Sequence, residues 1–264
     1  MTQGLRHAFV VPAYGQSPYL RECLASLQAQ TLPAPVFIST STPSPWLAGL
    51  ASEFGATLLE HGPNRGIGHD WNQAVAGTPA DWVTLAHQDD VYLPHFAQET
   101  MRCVELHPAA SLVMTDYGEL VDGSVRTWTL MLAVKRLLSG QAFLGRDVLE
   151  RRGARRRLLA FGCAIPCPTV TLRRDAAMGL FREDLKVDLD WDAWLRLADA
   201  PGAFARVRRP CMLHRIHAGS ETSGGVRAGV RAREDIAMFE RFWPAPIARL
   251  LARLYAVGYE AGEP

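Results

Sequence analysis

"HAFVVPAYGQSPYLRECLASLQAQT", residues 7–31, changes its apolar period part-way along. Residues 8–13 run without a charged side chain, as a strand buried on both faces does. Leu20, Cys23, Leu24 and Leu27 then fall three and four apart, the stripe of an amphipathic helix, with Ser17 and Pro18 suited to its N-cap and first turn. The exchange repeats. "PVFIS" (35–39), "ATLLE" (56–60), "DWVTLA" (81–86) and "SLVMTD" (111–116) read as strands. "SPWLAGLASEFG" (44–55), "GIGHDWNQAVAG" (66–77) and "PHFAQETMRCVELHP" (94–108) read as the helices between them. Alternation of this kind predicts an α/β, Rossmann-like fold: a mostly parallel sheet with helices on both faces. Ligands of such sheets sit at the carboxyl ends of the strands.

Composition narrows the function. The chain has 264 residues and a formal net charge of +1, which does not suggest a nucleic-acid partner. Five cysteines without a metal-type CxxC pair read as free thiols in a reducing compartment. The first residues lack the apolar run of a signal peptide and no stretch reaches membrane-span length, so a cytoplasmic protein is expected. Neither a GxGxxG fingerprint nor a Walker loop is present. The second half has another texture: Leu- and Arg-rich helical sequence over 125–160, a loop leading into a strand over 161–174, a helix opening near Asp188, and a tail of two helices broken around Pro244 and Pro246. The basic run 151–157 reads as a solvated helix face or as a surface for anionic lipid. Trp191, Trp194 and Trp243 are open to two uses, core packing or stacking on a sugar ring.

The chemistry points to "VTLAHQDDVYLPHF", residues 83–96. Asp89 and Asp90 stand where the fourth strand surfaces. Adjacent like charges repel, and a cation between them relieves that repulsion.

Five segments in order, "VVPAYGQSPYLRECLASLQAQTLP" (10–33), "NRGIGHDWNQAVAG" (64–77), "DWVTLAHQDDVYLP" (81–94), "DLDWDAWLRLA" (188–198) and "HRIHAGSETS" (214–223), resemble family 2 glycosyltransferases with the GT-A fold. The resemblance implies an inverting hexosyltransferase. It would move sugar from a nucleotide diphosphate donor, a UDP-sugar, to a glycan or lipid-linked acceptor in polysaccharide biosynthesis, with Mg²⁺ or Mn²⁺ as cofactor. It further implies a catalytic domain over 1–222, with an acceptor-side helical region at about 125–165. A helical C-terminal extension follows over 223–264. Peripheral contact at the inner face of the membrane and a homodimer belong to the same expectation.

Residue by residue, Asp89 matches the family's metal-binding acid, with His87 where its first acid stands and Gln88 and Asp90 as donor-side support. Asp190 matches the general base, with Leu189 in place of the usual preceding acid; Asp192 is the alternative base, or an acid facing the helix dipole. Arg215 and His217 match the closing segment, the first toward the diphosphate and the second toward the metal, with Gly219, Gly224 and Gly225 giving that segment freedom to close. Pro12, Ala13 and Tyr14 match the base and ribose wall. Ser39, Thr40 or Ser41 replaces the family's base-reading acid. Asn64, Gly66 and Asn72 match its turn and helix positions, and Asp70 is a further candidate for base or ribose. The departures at residues 87 and 189 and after the second strand admit an alternative, a non-catalytic nucleotide- or glycan-binding relative.

Overall fold

A computed structural model describes residues 5–217, 219 and 229–260. The elements run β1 (Leu5–Pro12), α1 (Leu20–Gln28), β2 (Val36–Thr40), α2 (Pro45–Glu53), β3 (Thr57–Glu60), α3 (Ile67–Gly77), β4 (Ala80–Leu85), β5 (Val91–Tyr92), α4 (Phe96–Leu106), β6 (Ala110–Val121) and β7 (Ser124–Arg126). There follow α5 (Leu130–Phe143), β8 (Val148–Leu149), α6 (Arg152–Leu159), a 3-10 turn (Cys167–Thr169), β9 (Val170–Arg173), α7 (Arg174–Ala177), α8 (Leu189–Asp199), β10 (Ala203–Ile216), α9 (Val230–Phe239) and α10 (Ala245–Glu260).

One sheet carries the fold, in the order β3-β2-β1-β4-β9-β6-β10-β5, with β7 beside β6 and β8 beside β10. β3, β2, β1 and β4 are mutually parallel, as the βα repeats require. β9 is antiparallel to β4 and to β6, so it separates the nucleotide-type half from the pair β6–β10, which is again parallel. Ala8, Phe9, Val10 and Val11 of β1 are wholly buried, consistent with helices covering both faces. Ser17 does not cap α1. The helix starts at Leu20, and the Ser17 hydroxyl accepts a hydrogen bond from the Tyr19 amide (3.3 Å), tightening the turn before it.

β10 is absent from the sequence reading. Arginines at 206, 208 and 209 and Pro210 interrupt its apolar alternation, and its pairing with β6 shifts register on either side of Pro210, which has no amide hydrogen to donate. The basic run is also not a plain solvated face. Arg155 is buried, its guanidinium 5.8 Å from the Phe204 ring centre, while Arg152 and Arg156 both pair with Asp199.

α9 and α10 pack into the main core. Met238, Phe239, Ala248 and Ala252 join the cluster that holds Trp191 and Trp194. Trp191 meets Phe239 edge-on at 4.9 Å, and the indole N–H groups of Trp191 and Trp194 donate to the Leu159 and Ile165 carbonyls. Both tryptophans are wholly buried, so they are closed to a sugar. Among the described residues no helix is long and apolar enough to cross a membrane. Phe239→Ala is expected to lower stability by about 3–5 kcal/mol, from lost burial and the cavity left behind. Urea unfolding followed by both tryptophan fluorescence and circular dichroism should show one transition. Two separated transitions would mean that the last helices fold apart from the sheet.

Candidate active site

The site begins at the end of β4, where the chain turns through residues 87–90. Asp90 is wholly buried, and one of its oxygens accepts from the Arg215 amide (2.8 Å) and pairs with His214 Nδ1 (3.0 Å). Its other oxygen has no hydrogen-bond partner among the described residues. Burial disfavours charge on His214, but the Asp90 carboxylate prevails and raises its pKa. Asp89, one residue earlier, points elsewhere: its carboxylate meets His217 Nε2 at 2.8 Å, and its carbonyl accepts from Arg215 Nε at 2.8 Å. Burial works against ionising Asp89, yet His87, the His217 hydrogen bond and His214 outweigh it and hold the carboxyl below its ordinary range. Burial lowers the pKa of His87, whose Nε2 is buried without a partner among the described residues.

Donor atoms of His87, Asp89 and Asp90 lie within 4.8 Å of one another. An imidazole nitrogen without a partner, a carboxylate and an unpartnered buried carboxylate oxygen form a fitting donor set for one divalent cation. The residues present therefore fit the metal that the sequence pattern implies.

The end of β10 lies over this turn. The Arg215 guanidinium reaches Glu22 of α1 at 2.5 Å and sits 4.4 Å from the Tyr19 ring centre, and the Tyr19 and His217 rings are 4.9 Å apart. Glu22 and Tyr19 carry no signal in the sequence pattern; only the fold brings the first helix to the last strand. Gly224 and Gly225 lie outside the described residues.

The mouths of β1 and β2 form the other wall. Tyr14 is 56% exposed, enough to offer a ring face, and the Gln88 side chain accepts from its amide at 3.2 Å. Pro12 and Ala13 continue β1 beneath it, and the Ala13 amide donates to the Ser39 carbonyl (2.8 Å). The Ser39 and Thr40 side chains are buried, and the Thr40 hydroxyl accepts from the Thr42 amide. Ser41 instead donates to Asp70 (2.6 Å), so a hydroxyl from β2 and an acid from α3 stand together. Asn64 accepts from the Gly66 amide (2.7 Å), and Gly66 adopts φ +104°, a backbone open to glycine, to start α3. Asn72 uses both ends of its amide on the backbone of Phe181, at 2.7 and 3.0 Å. Gly68 lets α3 press on the same segment; a Cβ there would lie 2.2 Å from the Arg182 carbonyl. Asn64, Gly66 and Asn72 thus hold α3 in place, with the Asn64 carbonyl oxygen and both ends of the Asn72 amide engaged within the fold.

α8 brings in the remaining acids. Asp190, in its first turn, accepts from the Trp191 amide, and burial pushes its carboxyl up to about 6. Asp192 is 1% exposed and accepts from Arg241 at 3.0 Å, so it faces the tail and not the solvent. Two residues apart on a helix, the acids point to different sides. Glu234 of α9 grips the approach to α8, accepting from the amides of Lys186 (3.0 Å), Val187 (2.8 Å) and Asp188 (2.9 Å). The Asp190 and Asp90 charges are both close enough to Cys167 to help push its buried thiol up, after burial itself.

A family model described as glycosyl transferase family 2 matches residues 8–178 of this chain. The chain belongs to that family. A Haemophilus influenzae protein described as an uncharacterized glycosyltransferase is 28% identical over 116 residues, 40% of this chain and 43% of its own length. The chain therefore matches less than half of that relative. Among solved structures, Staphylococcus aureus TarS in complex with UDP-GlcNAc is similar with a TM-score of 0.65 and 14% identity, over 98% of this chain and 73% of TarS. The mannosyltransferase PcManGT from Pyrobaculum calidifontis, in complex with GDP-Man and Mn²⁺, is similar with a TM-score of 0.62 and 14% identity, over 100% of this chain and 77% of that one. At such identity the likeness is one of fold, and it identifies the sheet as the GT-A arrangement of family 2.

Beside the Asp190 turn, this family 2 chain carries an unusual pair, Asp188 and Asp235, both buried. Burial, and then the proximity of the Asp235 charge, raise the Asp188 pKa; burial also raises that of Asp235. A carboxyl raised in the folded state keeps a proton that the unfolded chain releases above its ordinary pKa of about 4. Stability from this pair is thus present at low pH and is lost as pH rises toward the raised value. Asp188→Asn should flatten the decline. Melting temperatures measured from pH ~5 to ~9 should converge at the acid end and favour the variant at the alkaline end. Parallel curves would exclude a raised Asp188 carboxyl.

Proposed function

We propose that this chain is a nucleotide-sugar-dependent, inverting glycosyltransferase that uses Mn²⁺ or Mg²⁺, with a UDP-sugar as the expected donor and a glycan or lipid-linked acceptor. The observation that carries the reading is the grouping at the end of β4: donor atoms of His87, Asp89 and Asp90 within 4.8 Å of one another, with the Asp89 carboxyl held below its ordinary range and one Asp90 oxygen unpartnered among the described residues. Such a cation, when bound, neutralises the charge that grows on a diphosphate leaving group.

The chain's own residues supply the rest of the reading. Tyr14 offers a ring face for the base, and the Ser41–Asp70 pair supplies the acid that is missing after the second strand. Arg215 is the planar donor poised to exchange Glu22 for phosphate oxygens, and His217 stands beside Asp89 as the further ligand. Asp190 in its ionised form takes the proton of the acceptor hydroxyl. The hydroxyl oxygen bonds to the anomeric carbon as the bond to the diphosphate oxygen breaks, and attack from the far face inverts that carbon. Catalytic domain limits of 1–222 and an extension over 223–264 remain part of this proposal, although Glu234 and Arg241 bring the tail to α8. Contact with the inner face of a membrane, and a homodimer, also stay within it.

The non-catalytic alternative rests on the engaged side chains of Asn64 and Asn72, which leave less of the family's donor-facing surface free. Thermal-shift assays against UDP, GDP, TDP and CMP, with and without Mn²⁺, separate the readings. One diphosphate nucleotide should stabilise the chain only with metal, and Asp89→Ala should abolish that shift. Asp190→Asn should keep the shift and stop turnover; full transfer by this variant removes Asp190 from the mechanism. Since protonated Asp190 cannot accept the acceptor's proton, kcat/KM should fall about tenfold per pH unit below about 6. A rate that is flat across that range would point to another base.

A further inference from the structure

Under α5 lies a cavity of about 270 Å³ that the reading above does not use. β6 contributes Thr115, Asp116 and Tyr117 to its wall, α5 contributes Lys135 and Arg136, and β10 contributes Arg206 and Arg208. Four cationic side chains, Lys135, Arg136, Arg206 and Arg208, stand against one lining carboxylate, Asp116. They are held in place. Arg136 grips Asp116 with Nε at 3.0 Å, Arg206 lies with its guanidinium 4.3 Å from the Phe143 ring centre, and Arg206 and Arg208 share Asp147.

Thr115 also lines the cavity, and its hydroxyl, closed to water, has no hydrogen-bond partner among the described residues.

The cavity also adjoins the site. Lys135 Nζ meets the Tyr117 hydroxyl at 3.1 Å, the Tyr117 ring lies 6.3 Å from that of His214, and His214 holds Asp90. The Lys135 charge also reaches Asp190, helping to lower its pKa against burial.

We propose that this cavity is a subsite for a phosphate group on the acceptor, taken up by Lys135 and Arg206, with the attacking hydroxyl of the same molecule directed to Asp190. Fixed guanidinium and ammonium donors on two walls of one cavity match the several oxygens of a phosphate better than the two of a carboxylate. As an acceptor subsite it rests on the glycosyltransferase reading; as a phosphate site it is measured without donor or turnover. The phosphate can be borne by a lipid or by a soluble molecule.

The test uses full-length protein carrying Asp89→Ala, in chelator, so that the donor end is out of play. Isothermal titration with inorganic phosphate, and co-sedimentation with phosphatidylcholine vesicles with and without phosphatidic acid, read the two sources. Binding is expected in at least one arm. It should weaken about tenfold or more in Lys135→Gln and in Arg206→Gln, the scale of one charge-assisted hydrogen bond, and be kept in Lys135→Arg. Phosphate binding in solution assigns a soluble acceptor; binding to phosphatidic acid vesicles alone assigns a lipid one. No binding in either arm, or binding unchanged in both glutamine variants, overturns the subsite. The single variants with Asp89 intact provide the folding control through their metal-dependent nucleotide shift. Loss of that shift in the wild type overturns the donor reading and leaves the phosphate result standing.

Discussion

Asp90 is a carboxylate that water does not reach, and the ends of two separate strands meet on it. One oxygen holds the Arg215 amide and the His214 ring, so the end of β4 is fastened to the end of β10 across more than a hundred residues of chain. A buried charge is tolerated where hydrogen bonds and an opposite charge surround it. Here the partners come from one strand, and that fixes the direction in which the strand leaves the sheet. Asp89 then faces outward, and Arg215 and His217 arrive on either side of its peptide and carboxylate. The candidate metal ligands, the cationic strap and the Tyr19 ring are therefore consequences of one anchoring carboxylate.

The parallel half of the fold was legible because its strands are buried on both faces and its helices on one, which leaves a strong change of period in the sequence. β10 was not legible. Its arginines serve a cavity wall and a surface groove, so its side chains do not alternate, and Pro210 breaks its ladder. Ser17 looked like an N-cap because the residue type and the following proline fit; the turn formed two residues before the helix instead. The tail read correctly as two helices, since prolines break it and its apolar stripe is regular.

The site residues divide along the same line. Asp89 and Asp90 are conspicuous as a pair at a strand end, but the sequence does not say which is buried. Asp190 matches the family's base position with Asp192 as the rival, and Arg241, some fifty positions away, adds a difference the sequence does not show by drawing Asp192 into the interior. Asn72 has the look of a ligand-facing amide, yet both its ends are used on Phe181. Tyr19, Glu22, Lys135 and Glu234 act through contacts between distant segments, and no local pattern encodes such contacts.

The grip of Glu234 on residues 186–188 separates the two ends of the chemistry by origin. In the proposed reading the leaving-group end combines the mouths of the first strands with Arg215 and His217 at the end of β10, whereas the acid that would accept the proton takes its position from a helix near the end of the chain. A drift in the docking of that helix would displace the base relative to the acceptor and leave the nucleotide wall untouched. Regiochemistry, the choice of which hydroxyl is glycosylated, can thus change in this architecture through substitutions remote from both the sugar and the nucleotide.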